Sequence, residues 1–180
     1  YINIMVYNFT TEPNSNSVTL GISHIPFSTT GKHYLEGLGE TDRSHLTLAN
    51  LQFPLCVSIN SLYINEESTP TEYSTADIAV TLAHELGHYL GLHHVFAETD
   101  NGTCEDTDYC KDTKSYNKQE YDSKCDYIYE NEREKYTFKN LVKRTGCNGI
   151  EFISYNIMDY AISYSNQFTQ NQRERIRHVL

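Results

Sequence analysis

The stretch His84-Glu85-Leu86-Gly87-His88-Tyr89-Leu90-Gly91-Leu92-His93-His94 constrains this chain more than any other. Ile78, Leu82, Leu86 and Leu90 recur every four residues, with Ala79, Ala83 and Tyr89 beside them. That period predicts a helix with one broad buried stripe, and Ser74 with Asp77 predicts a capping box at its start. On such a helix His84 and His88 lie one turn apart on one face, so both imidazoles can grip a single ion. Glu85 follows His84 directly and is placed to hold a water beside that ion. An open catalytic metal site needs a third protein ligand. His94 cannot supply it from a continuing helix, because it would be rotated roughly 240° from His88 and carried about 9 Å along the axis. Gly91 removes the difficulty, since a glycine takes the left-handed conformation that ends a helix and turns the chain back. Spacing therefore assigns His94 as the third ligand and leaves His93 behind it or at the surface. His24, His33, His45 and His178 read as ordinary strand or surface residues.

Composition narrows the classes of function. A length of 180 residues fits one domain. The 14 Lys and Arg against 24 Asp and Glu give a net charge of −10, which argues against nucleic acid and anionic membranes as partners. No apolar run is long enough to span a membrane. Residues 1–9 read as a strand and not as a signal peptide, so any export signal or pro-segment is expected to be gone already. Four of five cysteines (Cys104, Cys110, Cys125, Cys147) fall in one polar segment without the C-x2-C spacing of a structural zinc site. Disulfides of open connectivity are the better reading, and they imply a secreted, periplasmic or cell-surface protein. Cys56 sits in an apolar run and reads as a small buried hydrophobe. Asn8 and Asn101 open Asn-x-Thr sequons.

Residues 1–70 read as β, with strands over 1–9, 18–27 and 55–64 and a long polar loop over 31–50. Residues 57–60 are the expected edge for pairing with an extended substrate. Residues 97–147 are charged and rich in Tyr, with at most one helix, over 127–142. Asp106, Asp108 and Asp112 offer hard oxygen donors for calcium. Thr169 with Gln172 predicts a second capping box, opening a helix over 170–180 with Ile176 and Val179 turned inward. The sum is an α+β chain.

The pattern H-E-x-G-H-x-x-G-L-x-H, followed by Asn156-Ile157-Met158-Asp159-Tyr160, resembles the metzincin metalloendopeptidases, and the pappalysin (cytophagalysin) family in particular. Residues 21–27 resemble that family's strand ahead of the active site. Asp108-Tyr109-Cys110-Lys111-Asp112-Thr113 is similar to its calcium loop, and residues 168–176 to its closing F-T-x-x-Q-x-x-R helix. The resemblance is carried by residues 76–113 and 154–177. It implies a single catalytic domain over 1–180, with a twisted-sheet upper lobe and active-site helix through residue 94. An irregular lower lobe from residue 95, closed by a C-terminal helix, completes it.

The same resemblance implies zinc-dependent hydrolysis of peptide or protein substrates, and the chain is expected to be a monomer. Zinc would sit on His84, His88 and His94, with Glu85 as general base and Tyr160 a tyrosine that swings between zinc and the tetrahedral intermediate. Met158 would form a hydrophobic floor under the imidazoles. Calcium would take Asp108, Asp112 and Thr113. The family's disulfide would join Cys104 to Cys147, leaving Cys110 to pair with Cys125. The chain also departs from the family. No helix is readable before residue 74, so the chain is expected to start partway into the domain. The calcium loop lacks its Pro and has Cys110 in place of Val. No acid follows the methionine turn over 161–166, where family members that cut beside basic residues often carry one, so the resemblance leaves the cleavage specificity open. A non-catalytic zinc-binding or adhesion module descended from a protease is the rival reading, and the intact Glu85 argues against it.

Overall fold

The computed structural model describes residues 1–10, 18–28, 31–39, 55–70, 72–99, 103–160 and 162–180. His45, the second sequon at Asn101 and most of the 31–50 loop lie outside the described residues. The chain falls into two units, one of residues 1–92 with 175–180 and the other of residues 93–174.

The first unit is built on a three-stranded sheet ordered β1-β3-β2, comprising β1 (Asn3–Tyr7), β2 (Gly21–Ser23) and β3 (Cys56–Asn60). β3 runs parallel to β1, with Asn3 opposite Cys56, and antiparallel to β2, with Gly21 opposite Ile59. The β-branched and apolar run at β3 explains its place, because all five of its residues are buried. That corrects the substrate-edge expectation: residues 57–60 form the middle strand, and neighbours use both of its edges. Cys56 is buried as expected, and Asn8, past the end of β1, is exposed.

The helix α1 (Ile78–Tyr89) packs on β2 and β3. Its start differs from the expected capping box. Asp77 is itself the N-cap, its Oδ1 accepting the N–H groups of Ala79 and Val80, while Ser74 closes the preceding turn by accepting from Ala76. The stripe Ile78, Leu82, Leu86 and Leu90 is only half-buried, and the buried positions are Thr81, His84, Glu85 and Gly87. Packing against the sheet has claimed the face that carries the candidate site, and propensity for apolar burial yields to it.

The second unit holds α2 (Lys118–Asn131), α3 (Phe138–Leu141), and a hairpin of β4 (Lys143–Thr145) and β5 (Glu151–Ile153). Two helices thus replace the one expected over 127–142. Asn117 accepts from the Glu120 N–H and starts α2 earlier, and a 3-10 turn at Arg133–Lys135 separates it from α3. Phe96, Tyr116 and Tyr121 form the core, with Cys125 and Phe152 against it. Cys104 and Cys147 are joined, whereas Cys110 and Cys125 both keep their thiols, correcting the second pairing. The reason is local: Cys110 is fixed in the 106–113 loop through its own backbone, and Cys125 is committed to the aromatic core.

The last helix, α4 (Gln170–Val179), opens on the expected capping box, with Thr169 and Gln172 bonding reciprocally. Ile176 and Val179 are half-buried, and the fully buried side chains are polar: Gln172 and Arg175. Among the described residues no helix is long and apolar enough to cross a membrane.

At the centre of the second unit Arg144 is wholly buried. Its guanidinium stacks 3.7 Å over the Tyr121 ring, donates to the carbonyls of Leu141 and Ile162, and lies 3.3 Å from the Asp159 carboxylate. Asp159 also accepts from Tyr116 Oη and Ser154 Oγ. Removing one partner of such a buried pair typically costs roughly 3–5 kcal/mol, because the other charge stays behind in low dielectric. Arg144→Met is therefore expected to lower stability by about 3 kcal/mol in urea denaturation. Adding Asp159→Asn should recover part of that loss, whereas strictly additive losses would show that the two charges are not coupled.

Candidate metal centre

The turn after α1 follows from Gly91. At φ +87° it lets the Gly91 N–H reach the His88 carbonyl and the Leu92 N–H reach the Gly87 carbonyl, the paired bonds of a Schellman ending. A side chain at Gly91 would also meet Val179, Leu38 and Pro26. Arg175, buried, donates from Nε to the Gly91 carbonyl at 2.6 Å and from Nη2 to the Glu36 carbonyl. The expected Gln and Arg of the closing helix therefore have separate tasks, and Arg175 satisfies a carbonyl of the helix end.

Past this turn, one ring nitrogen from each of His84, His88 and His94 lies within 4.8 Å of the other two. Among the described residues these are the three His, Cys, Asp or Glu side chains gathered closely enough to hold an ion. Nε2 of His84 and Nε2 of His88 are 3.1 Å apart. The Leu92 carbonyl, which can only accept, lies 2.8 Å from His88 Nδ1 and assigns the proton to that nitrogen, leaving Nε2 as the lone-pair donor. The Glu98 carboxylate does the same at His94 Nδ1. His93 turns elsewhere, its ring packed edge-on against Tyr109 at 5.4 Å. An all-imidazole donor set with its lone pairs converging fits zinc, among the metals that imidazole suits.

Glu85 lies buried on the same helix, and burial pushes its carboxyl up to about 7. Gly21 of β2 explains how it is accommodated: a Cβ there would come 2.5 Å from the Glu85 Cγ. Any side chain at position 21 would have to displace the glutamate or the strand.

The methionine turn lies in the second unit. Met158 is fully buried, its N–H bonded to Asn156 Oδ1, and its carbonyl accepts from the Val95 N–H. The residue after the third histidine is thereby hydrogen-bonded to the turn. Buried Gln172 holds Asn156 by two side-chain bonds. Tyr160 meets His94 edge-on, with ring centroids 4.4 Å apart, and remains 42 % exposed. Phe96 stacks on His94 at 4.7 Å and 11° and lies 4.9 Å from the Tyr160 ring, so the three rings form one cluster.

The 106–113 loop is held together by its own side chains. Asp108 Oδ1 accepts from the Cys110 N–H and Thr113 Oγ1, Asp106 Oδ1 accepts from the Asp108 N–H, and Asp112 Oδ2 accepts from the Asn171 N–H at the start of α4. Thr113 and Asp112 thus have structural partners, while buried Asp108 Oδ2 has none. Sequence reasoning assigned no role to Glu98 or Arg144, and it placed Gly21 in a strand without its contact to Glu85. The first lies four residues after His94, a spacing that could have raised it; a lone Arg and a lone Gly carry no such signal.

Burial, with Asp106 adding to it, raises the Asp108 carboxyl from its ordinary 3.8 to about 7. Between those values the native state binds the proton that the unfolded chain has released, so stability is expected to fall as pH rises from about 4 to about 7 and to level off above. Asp108→Asn should remove this contribution. Urea denaturation at about pH 5 and about pH 8 measures it, and an identical pH difference in both proteins would exclude Asp108 as its source.

Comparison with known proteins bears on these residues together. The peptidase family model described as Pregnancy-associated plasma protein-A matches residues 48–180. An extracellular metalloprotease of Arthroderma otae is 37 % identical over 97 residues, covering 53 % of this chain and 29 % of its own length. One from Arthroderma benhamiae is 36 % identical over 106 residues, with the same coverage. The chain thus spans less than a third of these curated relatives. Among solved structures, mature mirolysin of Tannerella forsythia in complex with a cleaved peptide matches with a TM-score of 0.56 and 22 % identity, covering 98 % of this chain and 51 % of that one. That likeness is one of fold, a mixed α+β arrangement.

Proposed function

The chain belongs to the peptidase family described as Pregnancy-associated plasma protein-A, the pappalysins, and from that premise we propose that it is the catalytic portion of a zinc-dependent endopeptidase. The observation carrying this reading is the convergence of His84, His88 and His94 in a chain that keeps Glu85 beside the first of them. Zinc, when bound by these three imidazoles, supplies a Lewis acid for the scissile carbonyl and acidifies water. Glu85 takes the proton of the attacking water and delivers it to the leaving amine, as general base and then general acid. Tyr160, exposed beside His94, donates its hydroxyl to the oxygen on which negative charge develops. Met158 packs as an apolar support and is not a ligand.

The substrate is a peptide or protein, and β2 is the strand that receives it in extended form. Among the described residues β2 has β3 on one side and no strand on the other, and its Gly21 lies against Glu85. The reading extends to a location outside the cytoplasm, supported by the Cys104–Cys147 disulfide and by relatives named as extracellular. It also extends to calcium at the 106–113 loop, supported by the unpartnered oxygen of Asp108 beside Asp106. Added calcium should raise the thermal midpoint of the natural chain and leave Asp108→Asn unmoved; an equal response of the two, or none, removes calcium from the loop.

The reading is tested by cleavage of a diverse peptide mixture with and without a chelator. The expected result is cleavage lost on chelation and restored by zinc, and reduced roughly 100-fold or more in Glu85→Ala although that variant still binds zinc. A chain that binds zinc stoichiometrically yet cuts nothing is instead the non-catalytic module.

A further inference from the structure

We propose that Glu98 is a positioning residue for the metal, acting through His94; the proposal rests on the zinc reading above and assigns a residue outside the three-histidine motif. His94 belongs to an aromatic cluster, stacked on Phe96 at 4.7 Å and 11° and met edge-on by Tyr160 at 4.4 Å, with those two rings 4.9 Å apart. Ring contacts of this kind fix the plane of an imidazole but not which of its nitrogens faces the metal, since they distinguish neither nitrogen. The choice falls to a polar group, and Glu98 Oε1 is bonded to His94 Nδ1. A carboxylate can only accept, so Nδ1 carries the proton and Nε2 keeps its lone pair for the ion.

Glu98 is itself held. Its backbone N–H donates to Thr107 Oγ1 at 3.1 Å, and Thr107 Oγ1 donates to the Phe96 carbonyl at 3.3 Å. One threonine therefore ties down both Glu98 and the residue that stacks on His94. His88 offers the contrast, because a neutral carbonyl, that of Leu92, holds its Nδ1. Glu98 brings a formal charge, which makes Nε2 of His94 a stronger donor to a cation. The competing account is an ordinary i,i+4 ion pair. The side chains are 13 % and 38 % exposed, and such a pair adds little to stability and nothing to metal binding.

Zinc dissociation constants, measured by competition with a chromophoric chelator, separate these accounts. Removing a partner of this kind typically weakens metal binding about 10–100-fold. Glu98→Ala is expected to fall in that range and Glu98→Gln, which keeps an acceptor oxygen without the charge, to lose less. The cobalt(II)-substituted Glu98→Ala protein should also show altered visible absorption, which a merely structural pair would not alter. His93→Ala is expected to match the natural chain, and unchanged melting of the metal-free variants shows that they fold. If the natural chain binds zinc and Glu98→Ala binds it within about twofold with the same cobalt spectrum, the proposal is overturned. If the natural chain binds no zinc, the reading beneath the proposal fails first, and the two failures are told apart by that one control.

Discussion

On an uninterrupted helix the third histidine would point away from the first two, since six residues add roughly 240° of rotation and about 9 Å of rise. The arrangement of His84, His88 and His94 therefore depends on how α1 stops. Gly91 at φ +87° supplies the one backbone conformation that closes both Schellman bonds and reverses the chain within three residues. The carbonyl exposed by that reversal needs a donor, and buried Arg175 provides it from more than eighty residues away. A reversal this tight survives because its backbone polar groups are satisfied and the space beside Gly91 is already filled by Val179, Leu38 and Pro26.

A second constraint is the use of buried polar side chains where a larger core would use hydrocarbon. Gln172, Asp159, Arg144 and Ser163 are buried completely or nearly so, and each makes hydrogen bonds to the methionine turn or its flanks. Directional bonds of this kind specify one conformation of an irregular segment, which apolar packing alone does not. Beyond α2, the second unit has a four-residue helix, a hairpin of three-residue strands and long loops, so its precision comes from that network.

What was legible in the sequence and what was not divides along the same line. The α+β class, α1 and its stop at Gly91, the strand at 56–60 and the capping box at Thr169 were readable, because periodicity and turn chemistry are local. The family resemblance carried the Cys104–Cys147 pairing and the methionine turn. The start of α2 at Asn117, the central place of β3 and the thiols of Cys110 and Cys125 were not readable. The place of β3 depends on pairing between residues far apart in the chain, whereas the cap at Asn117 and the loop bonds of Cys110 are short-range contacts that no periodicity marks. The apolar stripe of α1 misled for a related reason, since the helix buries Thr81, His84 and Glu85 more deeply than its leucines.

The Cys104–Cys147 bond closes a covalent ring around α2, α3 and the first strand of the hairpin. Read along the chain, that ring looks like an appendage that could be trimmed away. It contains Tyr116, Tyr121 and Arg144, so excising it would remove the centre of its own unit. Its behaviour toward a cut differs from its behaviour toward a deletion. A backbone break at Glu132, between two helices, would leave both fragments on one molecule, each still anchored by its side chains. The ring is thus a place where the chain tolerates nicking far better than shortening.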